Sequence, residues 1–200
     1  MNERLFVRHG QSKYNAGFTK NLDSDLTPIG IQQATAAGNY LRDNIPDIKE
    51  FSGVTSPYHR CLQTAEIIHD ITGMQFQVKA LPREDMTTYD ECRVVNRKDV
   101  FDKFHWDEDH SNDFHFQKET IEEFFDRMKK YIEGENHPKL LVVSHASPIL
   151  LMHHILLGHD DVWKIMDKRL NFPTNCSISH IKEKESVRWN HVPWDTSILA

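Results

Sequence analysis

An arginine and a histidine stand side by side near the start of the chain, where they could handle phosphate. Arg8 and His9 follow the apolar run 5–7, which is typical of a buried strand. In open α/β sheets the ligand crevice lies at the carboxyl ends of the strands. A permanently charged guanidinium can hold an anion while a neighbouring imidazole attacks it. We therefore expect a phosphate-transfer site here, with Gly10 allowing a sharp turn and close approach of the backbone to a ligand.

A second histidine and a second arginine occupy comparable positions further along the chain. His145 follows the apolar segment 140–143, which reads as a central parallel strand. Arg60 lies near the start of a predicted helix that follows a short strand. Taken singly, Arg60 could be a surface charge and His145 a hydrogen-bonded structural histidine. A doubly wound sheet would instead bring both into the crevice that holds His9.

Strands and helices alternate along the sequence between these residues. Thr27 can cap a helix that begins at Pro28. The segment 84–118, called the lid segment below, lacks clear periodicity and is expected to form an irregular lid. Strands are predicted over about 5–7, 51–56, 76–81, 140–143, 176–181 and 187–192, and helices over about 28–43, 58–72, 119–133 and 148–157. This alternation predicts one domain over residues 1–200, a three-layer α/β/α sandwich with a mostly parallel central sheet.

Composition excludes some classes of partner. The chain has 24 basic and 30 acidic residues, a formal net charge of −6, which argues against binding to nucleic acid or an anionic membrane. No stretch is long and apolar enough to span a bilayer, and the first strand begins too early for a signal peptide. The three cysteines are scattered and match no zinc pattern, so we expect a cytoplasmic protein. Nothing in the sequence indicates the oligomeric state.

Four segments resemble, in order, the motifs of the histidine phosphatase superfamily, the phosphoglycerate-mutase-like group. They are LFVRHGQSKYN at 5–15, DLTPIGIQQA at 25–34, TSPYHRCLQTAE at 55–66 and VVSHASP at 142–148, and NCSI at 175–178 resembles the last core segment of the family. Together they span most of the chain. The resemblance implies the α/β/α fold and a phosphomonoester hydrolase that needs no metal or other cofactor.

The same resemblance implies roles for individual side chains. His9 would take the phosphoryl group and form a phosphohistidine that water then hydrolyses. That chemistry requires a neutral imidazole with one ring nitrogen free and the other donating to an acceptor such as a backbone carbonyl. Ser12 is a further, weaker candidate donor to the phosphate. The expected phosphate-binding side chains are Arg8, Asn15, Arg60 and His145, of which His145 would also act in catalysis by donating to the equatorial oxygens.

The general acid is the least clear assignment. Relatives carry a glutamate after the third strand, within a pattern that includes a glycine and a tryptophan absent here. Glu84 aligns best with that acid, which would protonate the leaving oxygen. Its neighbour Asp85 could serve instead. A second departure follows His145, where Ala146 and Ser147 replace the two glycines of many relatives.

The lid segment is rich in histidine and raises the question of a metal site. His105, Asp107, Asp109, His110 and His115 could in principle bind zinc, although their spacing fits no established pattern. We expect instead a polar lid that bounds the substrate pocket. The aromatic side chains expected to pack beneath it are Phe101, Phe104, Trp106, Phe114 and Phe116.

Several functions remain open at this point. The favoured one is hydrolysis of a small phosphorylated metabolite or a phosphoprotein. A mutase would use the same chemistry, but mutases of this family generally have longer chains and enclosed sites. A non-catalytic phosphate-ligand binding protein would be expected to have lost its nucleophile or its acid. A metal-dependent hydrolase built on the lid segment would lose activity in EDTA.

Overall fold

The computed structural model describes residues 2–106, 112–167 and 172–194. All the predicted strands and helices are present, with boundaries shifted by a few residues. The helices are α1 (Pro28–Asn44), α2 (His59–Thr72), α3 (Ile121–Gly134), α4 (Ala146–Leu156) and α5 (Val162–Asp167). The strands are β1 (Glu3–Arg8), β2 (Ser52–Thr55), β3 (Phe76–Val78), β4 (Glu91–Val94), β5 (His105–Trp106), β6 (Phe114–Gln117), β7 (Lys139–Ser144), β8 (Ile178–Lys182) and β9 (Glu185–His191).

The main sheet is mostly parallel, as predicted. Its strand order is β5-β3-β2-β7-β1-β8-β9. The first five of these strands run parallel to one another, and β8 and β9 close the sheet as an antiparallel hairpin. Arg8 pairs with Ser144, and Thr55 pairs with Val143. The carboxyl ends of β1, β2 and β7 therefore lie side by side.

Helices cover both faces of this sheet, which confirms the three-layer sandwich. Leu5 and Val7 point into a core that contains the apolar side chains of α1 and α2. Phe6, between them, points into a second core formed with α3, α4 and α5. Successive side chains of a strand face opposite sides, so β1 is buried on both. The predicted cap of α1 is also present, since Thr27 Oγ1 accepts a hydrogen bond of 3.0 Å from Gly30 N.

The lid segment is more regular than predicted. Its β5 extends the main sheet by pairing with β3, and β4 pairs with β6 in a separate antiparallel ladder. All five aromatic side chains expected beneath the lid are buried. Along β6 burial alternates, with Phe114 and Phe116 inside and His115 outside. The alternation lasts only four residues, too few to be recognised in the sequence.

Two smaller differences concern the helical layer beside β7. Helix α4 begins at Ala146, immediately after His145, rather than at about 148. Helix α5 was not predicted, because its six residues are too few to show a helical period. No helix among the described residues combines the length and apolar character needed to cross a membrane.

Candidate active site

Four of the predicted residues meet at the carboxyl edge of the sheet. His9 follows β1, Arg60 lies in the first turn of α2, and His145 follows β7. The imidazole ring centroids of His9 and His145 are 5.2 Å apart. Glu84 reaches the same place from the start of the lid segment. Both histidines and Arg60 are at most 2% exposed, so this is a buried cluster of ionisable groups.

Hydrogen bonds define the tautomer of His9. Its Nδ1 lies 2.7 Å from the carbonyl oxygen of Gly10, and its Nε2 lies 3.0 Å from Arg60 Nε. A guanidinium can only donate, so Nε2 accepts and carries no proton. Nδ1 therefore carries the proton and donates to the Gly10 carbonyl. This is the arrangement expected for a histidine nucleophile that attacks through the other ring nitrogen. Burial, followed by the charge of Arg60, lowers the pKa of His9 well below its ordinary value, which keeps the ring neutral.

The same guanidinium defines the tautomer of His145. Arg60 Nη2 donates to His145 Nδ1 over 3.0 Å, so the proton is on Nε2. That nitrogen lies 2.9 Å from Ser56 Oγ and donates to it. Burial, with the nearby Arg60 charge, lowers the pKa of His145 to about 4. Both imidazoles are thus neutral at pH 7.

Arg60 is held rigidly while it contacts both rings. Its guanidinium lies over the Tyr58 ring, 4.6 Å from the ring centroid. It also donates through Nη1 to the carbonyl of Leu22 and through Nη2 to Glu84 Oε2, the latter over 3.2 Å. A planar group with several donors in fixed directions can make these contacts together, and a lysine cannot.

Glu84 is the carboxylate of the cluster. Its Oε2 lies 3.3 Å from His145 Nδ1, and its Oε1 accepts from the Asp85 backbone N–H over 3.2 Å. Burial by itself raises the pKa of Glu84, but His145, Arg60 and Arg8 outweigh it and lower the pKa to about 2. Because His145 is neutral at pH 7, the two guanidiniums are the charges that keep Glu84 ionised there.

Asp85 points elsewhere. Its Oδ1 accepts from the Thr87 hydroxyl over 2.8 Å. Burial and the neighbouring charge of Glu84 raise its pKa. Of the two carboxylates that the sequence leaves open, Glu84 is therefore the one in contact with Arg60 and His145.

Arg8 lies at the edge of the cluster, and part of its guanidinium is not used in hydrogen bonds among the described residues. Its Nη1 donates to the Pro173 carbonyl over 2.7 Å. Its Nε is buried and has no hydrogen-bond partner among the described residues. Burial lowers the pKa of Arg8, the usual response of a cation removed from water. This buried donor is available to an anion that enters the cluster.

Comparison with known proteins identifies the family. The model of the histidine phosphatase superfamily (branch 1) matches residues 5–194. The chain belongs to this superfamily. A protein of Hydrogenobacter thermophilus with the provisional name phosphoserine phosphatase 2 is 30% identical over 177 residues, covering 82% of this chain and 84% of the relative. A 2,3-bisphosphoglycerate-dependent phosphoglycerate mutase of Allorhizobium ampelinum is 34% identical over 102 residues, covering 48% and 46%.

Solved structures agree on the fold. A mycobacterial glucosyl-3-phosphoglycerate phosphatase, solved with VO3, superposes with a TM-score of 0.66 at 18% identity, covering 96% of this chain and 100% of that one. With the family match and the phosphatase names of its relatives, the chain is a histidine phosphatase, a phosphomonoester hydrolase.

Asn15 is the predicted ligand that this histidine phosphatase does not bring to the cluster. Asn15 is exposed, and its Oδ1 accepts from the Ser12 hydroxyl over 3.1 Å. Ser12 is fully buried and is engaged in that bond. The side-chain hydrogen bonds described for both residues are thus made within this pair rather than to Arg60 or the imidazoles.

Gly10 is needed for a different reason from the predicted turn. A β-carbon on Gly10 would lie 2.4 Å from the carbonyl oxygen of Gly30, so the backbone after His9 can pack on the start of α1 only with glycine here. On the other side, Asn175 Nδ2 donates to the His9 carbonyl over 2.9 Å. The backbone of His9 is therefore fixed between α1 and the segment before β8.

Ser56 is a contributor that sequence reasoning missed. It follows β2 directly, and β2 pairs with β7, whose end carries His145. That shared sheet edge was a usable signal, because a hydroxyl at one strand end can reach an imidazole at the next. Tyr58, which packs edge-on against His145 with centroids 5.0 Å apart, carried no such signal.

The residues that come close enough together to hold a metal ion are not those of the lid segment. Among the described residues, the group whose ligand atoms lie close enough to hold an ion is His9, Glu84 and His145. Arg60 donates to all three, and a cation there would be repelled by the guanidinium. His105 and His115 are exposed on separate sheets, and Asp107, Asp109 and His110 lie outside the described residues.

Proposed function

We propose that this histidine phosphatase hydrolyses small phosphorylated metabolites through a phosphohistidine on His9 Nε2. The observation that carries the proposal is the position of Arg60, which donates to both imidazoles and to Glu84. One positive group thus connects the nucleophile, the second imidazole and the candidate acid. The net charge of −6 favours a small substrate over a nucleic acid.

Substrate binding replaces internal contacts of the cluster. The lone pair of His9 Nε2 accepts from Arg60 Nε in the substrate-free site. A phosphate dianion attracts the guanidiniums of Arg60 and Arg8 and accepts their N–H groups, which releases that lone pair for attack. The two negative charges of the phosphate also offset both guanidiniums, so the pKa of Glu84 rises when substrate binds. Glu84 then takes up a proton.

In the first chemical step His9 Nε2 forms a bond to phosphorus while the bond from phosphorus to the ester oxygen breaks. Glu84 gives its proton to the departing oxygen, so the product is a neutral alcohol. Charge spreads over the equatorial oxygens, where Arg8 and Arg60 stabilise it. Once phosphate has drawn Arg60 away from His145 Nδ1, His145 donates to one of these oxygens in its other tautomer, with the proton on Nδ1 and Nε2 accepting from the Ser56 hydroxyl. Asn15 is proposed as a further ligand, which requires it to exchange its bond to Ser12 for one to phosphate.

In the second step water attacks the phosphohistidine. The ionised Glu84 removes a proton from this water, the N–P bond breaks, and inorganic phosphate leaves with His9 neutral again. The comparisons favour hydrolysis over mutase activity. The relative that is similar over most of this chain is named as a phosphatase, whereas the similarity to the mutase covers about half of this chain. An intact His9 in contact with Arg60 disfavours a non-catalytic binding protein.

A covalent trapping experiment tests the proposal. The chain is incubated in EDTA with a panel of 32P-labelled phosphomonoesters and quenched with denaturant. We expect turnover of at least one compound and acid-labile, alkali-stable label on the protein. His9→Ala should lose the label and more than about a thousandfold of the rate. The matched control His115→Ala, an exposed histidine of the lid segment, should keep both. Full activity of His9→Ala would refute the mechanism.

A further inference from the structure

Asp23 is a buried carboxylate that the proposed reaction does not use. It lies in the loop between β1 and α1, and its side chain is 3% exposed. A carboxylate buried this deeply is costly unless it is fully paired. Its partners therefore indicate why the fold keeps it there.

Those partners come from two segments that are distant in the sequence. Oδ1 accepts from the backbone N–H of His59, at the start of α2, over 2.8 Å. Oδ2 accepts from Arg97 Nη1 over 2.7 Å and from the backbone N–H of Val95 over 3.2 Å. Both of these residues belong to the lid segment, just after β4. One carboxylate thus joins the loop, α2 and the lid segment.

Two of these contacts bear directly on Arg60. His59, whose N–H Asp23 accepts, is the residue before Arg60 in the chain. Leu22, whose carbonyl accepts from Arg60 Nη1, is the residue before Asp23. The Arg60 backbone and guanidinium are therefore both held by the same short piece of loop. A shift of Asp23 would therefore act on both ends of Arg60.

We propose that Asp23 is a positioning residue for Arg60 and couples the lid segment, through Arg97, to phosphate binding. This inference rests on the proposed role of Arg60 as a phosphate ligand. A displacement of about 1 Å in a positioning contact can reduce rate by about a hundredfold. The Asp23–Arg97 ion pair opposes such a displacement. It is shielded from water, because the Arg97 side chain is mostly buried as well, at 16% exposed.

Inhibition by inorganic phosphate tests the coupling. Asp23→Asn keeps an acceptor for the His59 N–H but removes the charge that pairs with Arg97. We expect its Ki for phosphate to rise about tenfold and kcat/KM to fall about tenfold to a hundredfold. Arg97→Gln should give a similar change, and the double variant should be no worse than either single one. Lys98→Ala, which removes an exposed neighbouring cation, is the control and should match wild type.

Thermal unfolding separates positioning from simple structural support. A lower Tm with an unchanged phosphate Ki in Asp23→Asn would overturn the proposal, and so would independent, multiplicative effects of the two substitutions. Should Asp23→Asn fail to fold, Arg97→Gln alone tests the same coupling, and an unchanged Ki in that variant refutes it. The variant His9→Ala separates failure of this inference from failure of the proposed function. Full activity of His9→Ala would show that the proposed function is wrong, whatever the Asp23 variants do.

Discussion

Two pairs of neighbouring histidines among the described residues can be compared, and they differ in what surrounds them. The rings of His9 and His145 have centroids 5.2 Å apart and an interplanar angle of 64°. Those of His153 and His154, on α4, have centroids 5.7 Å apart and an angle of 77°. Burial is the main cause of the lowered pKa values of His9, His145 and His153 alike. Ring geometry and a buried imidazole are therefore not enough to distinguish a reactive pair from a structural one.

The difference lies in the groups that contact the ring nitrogens. In the first pair, Arg60 donates to a nitrogen of each ring. In the second, His153 packs on the Trp189 ring with centroids 4.3 Å apart, and its Nε2 lies 3.1 Å from the Ser186 hydroxyl. A guanidinium holds both rings next to a group that can bind an anion, whereas an indole and a hydroxyl only complete the packing. The shared cation is what makes the first pair a chemical site.

Substitution of that cation should give the largest effect. In Arg60→Lys all the N–H groups lie on one nitrogen, which cannot span the separate positions from which Arg60 contacts His9, His145 and Glu84. We expect kcat/KM for a phosphomonoester to fall about a hundredfold to a thousandfold, the loss typical of removing one donor to a transition-state oxyanion. Arg42→Lys, at an exposed ion pair with Asp43, is the matched control and should be unchanged. A loss below threefold in Arg60→Lys would mean that guanidinium geometry does not distinguish the two histidine pairs.

Glu84, the carboxylate beside the first pair, should matter more for substrates whose leaving oxygen is more basic. Glu84→Gln removes the acid that protonates the leaving oxygen. An alkoxide is a poor leaving group without that proton, whereas nitrophenolate leaves readily as an anion. We expect kcat/KM to fall about a hundredfold for alkyl phosphates and less than about tenfold for p-nitrophenyl phosphate. Asp85→Asn, next to it but bonded to Thr87, should show no such discrimination. Small and equal effects of Glu84→Gln on both substrates would instead assign the proton to Asp85 or to water.

The sequence predicted the parts of this site that depend on long apolar strands. β1 and β7 are buried on both faces, so their hydrophobic runs are continuous and their ends are easy to locate. Since parallel strands share a carboxyl edge, these two runs are enough to place Arg8, His9 and His145 together. The α1 cap at Thr27 was equally local, because a hydroxyl three residues before an N–H is enough to define it.

Contacts between distant loops could not be predicted in the same way. Glu84 meets Arg60 from the loop that follows β3, and the lid segment beyond it contains β4, β5 and β6, strands of two to four residues of which β5 joins the main sheet. Asp23 likewise finds its partners on α2 and the lid segment. Such contacts depend on three-dimensional closure of loops, which has no periodic signature in the chain.

The smallest functional effect is expected at the second histidine pair, where the outcome is a change in pH-dependent stability. The pKa of His153 is lowered to about 4 in the folded protein, against about 6.5 in an unfolded chain. Between these values the unfolded state binds a proton that the folded state does not. The free energy of unfolding is therefore unaffected above pH 6.5 and falls progressively as pH drops towards 4, by at most about 1.4 kcal/mol per unit from this residue.

His153→Gln retains a polar partner for Ser186 but does not titrate. Urea unfolding at pH 7, 6 and 5 should show that the variant loses about 1–2 kcal/mol less stability than wild type over that interval. Its kcat/KM at pH 7 should stay within twofold of wild type, because no contact joins His153 to Arg60 or Glu84 among the described residues. Equal losses in both proteins would show that His153 binds its proton alike in the folded and unfolded states. A marked loss of activity would mean that the second pair also takes part in the chemistry, and the distinction based on Arg60 would be wrong.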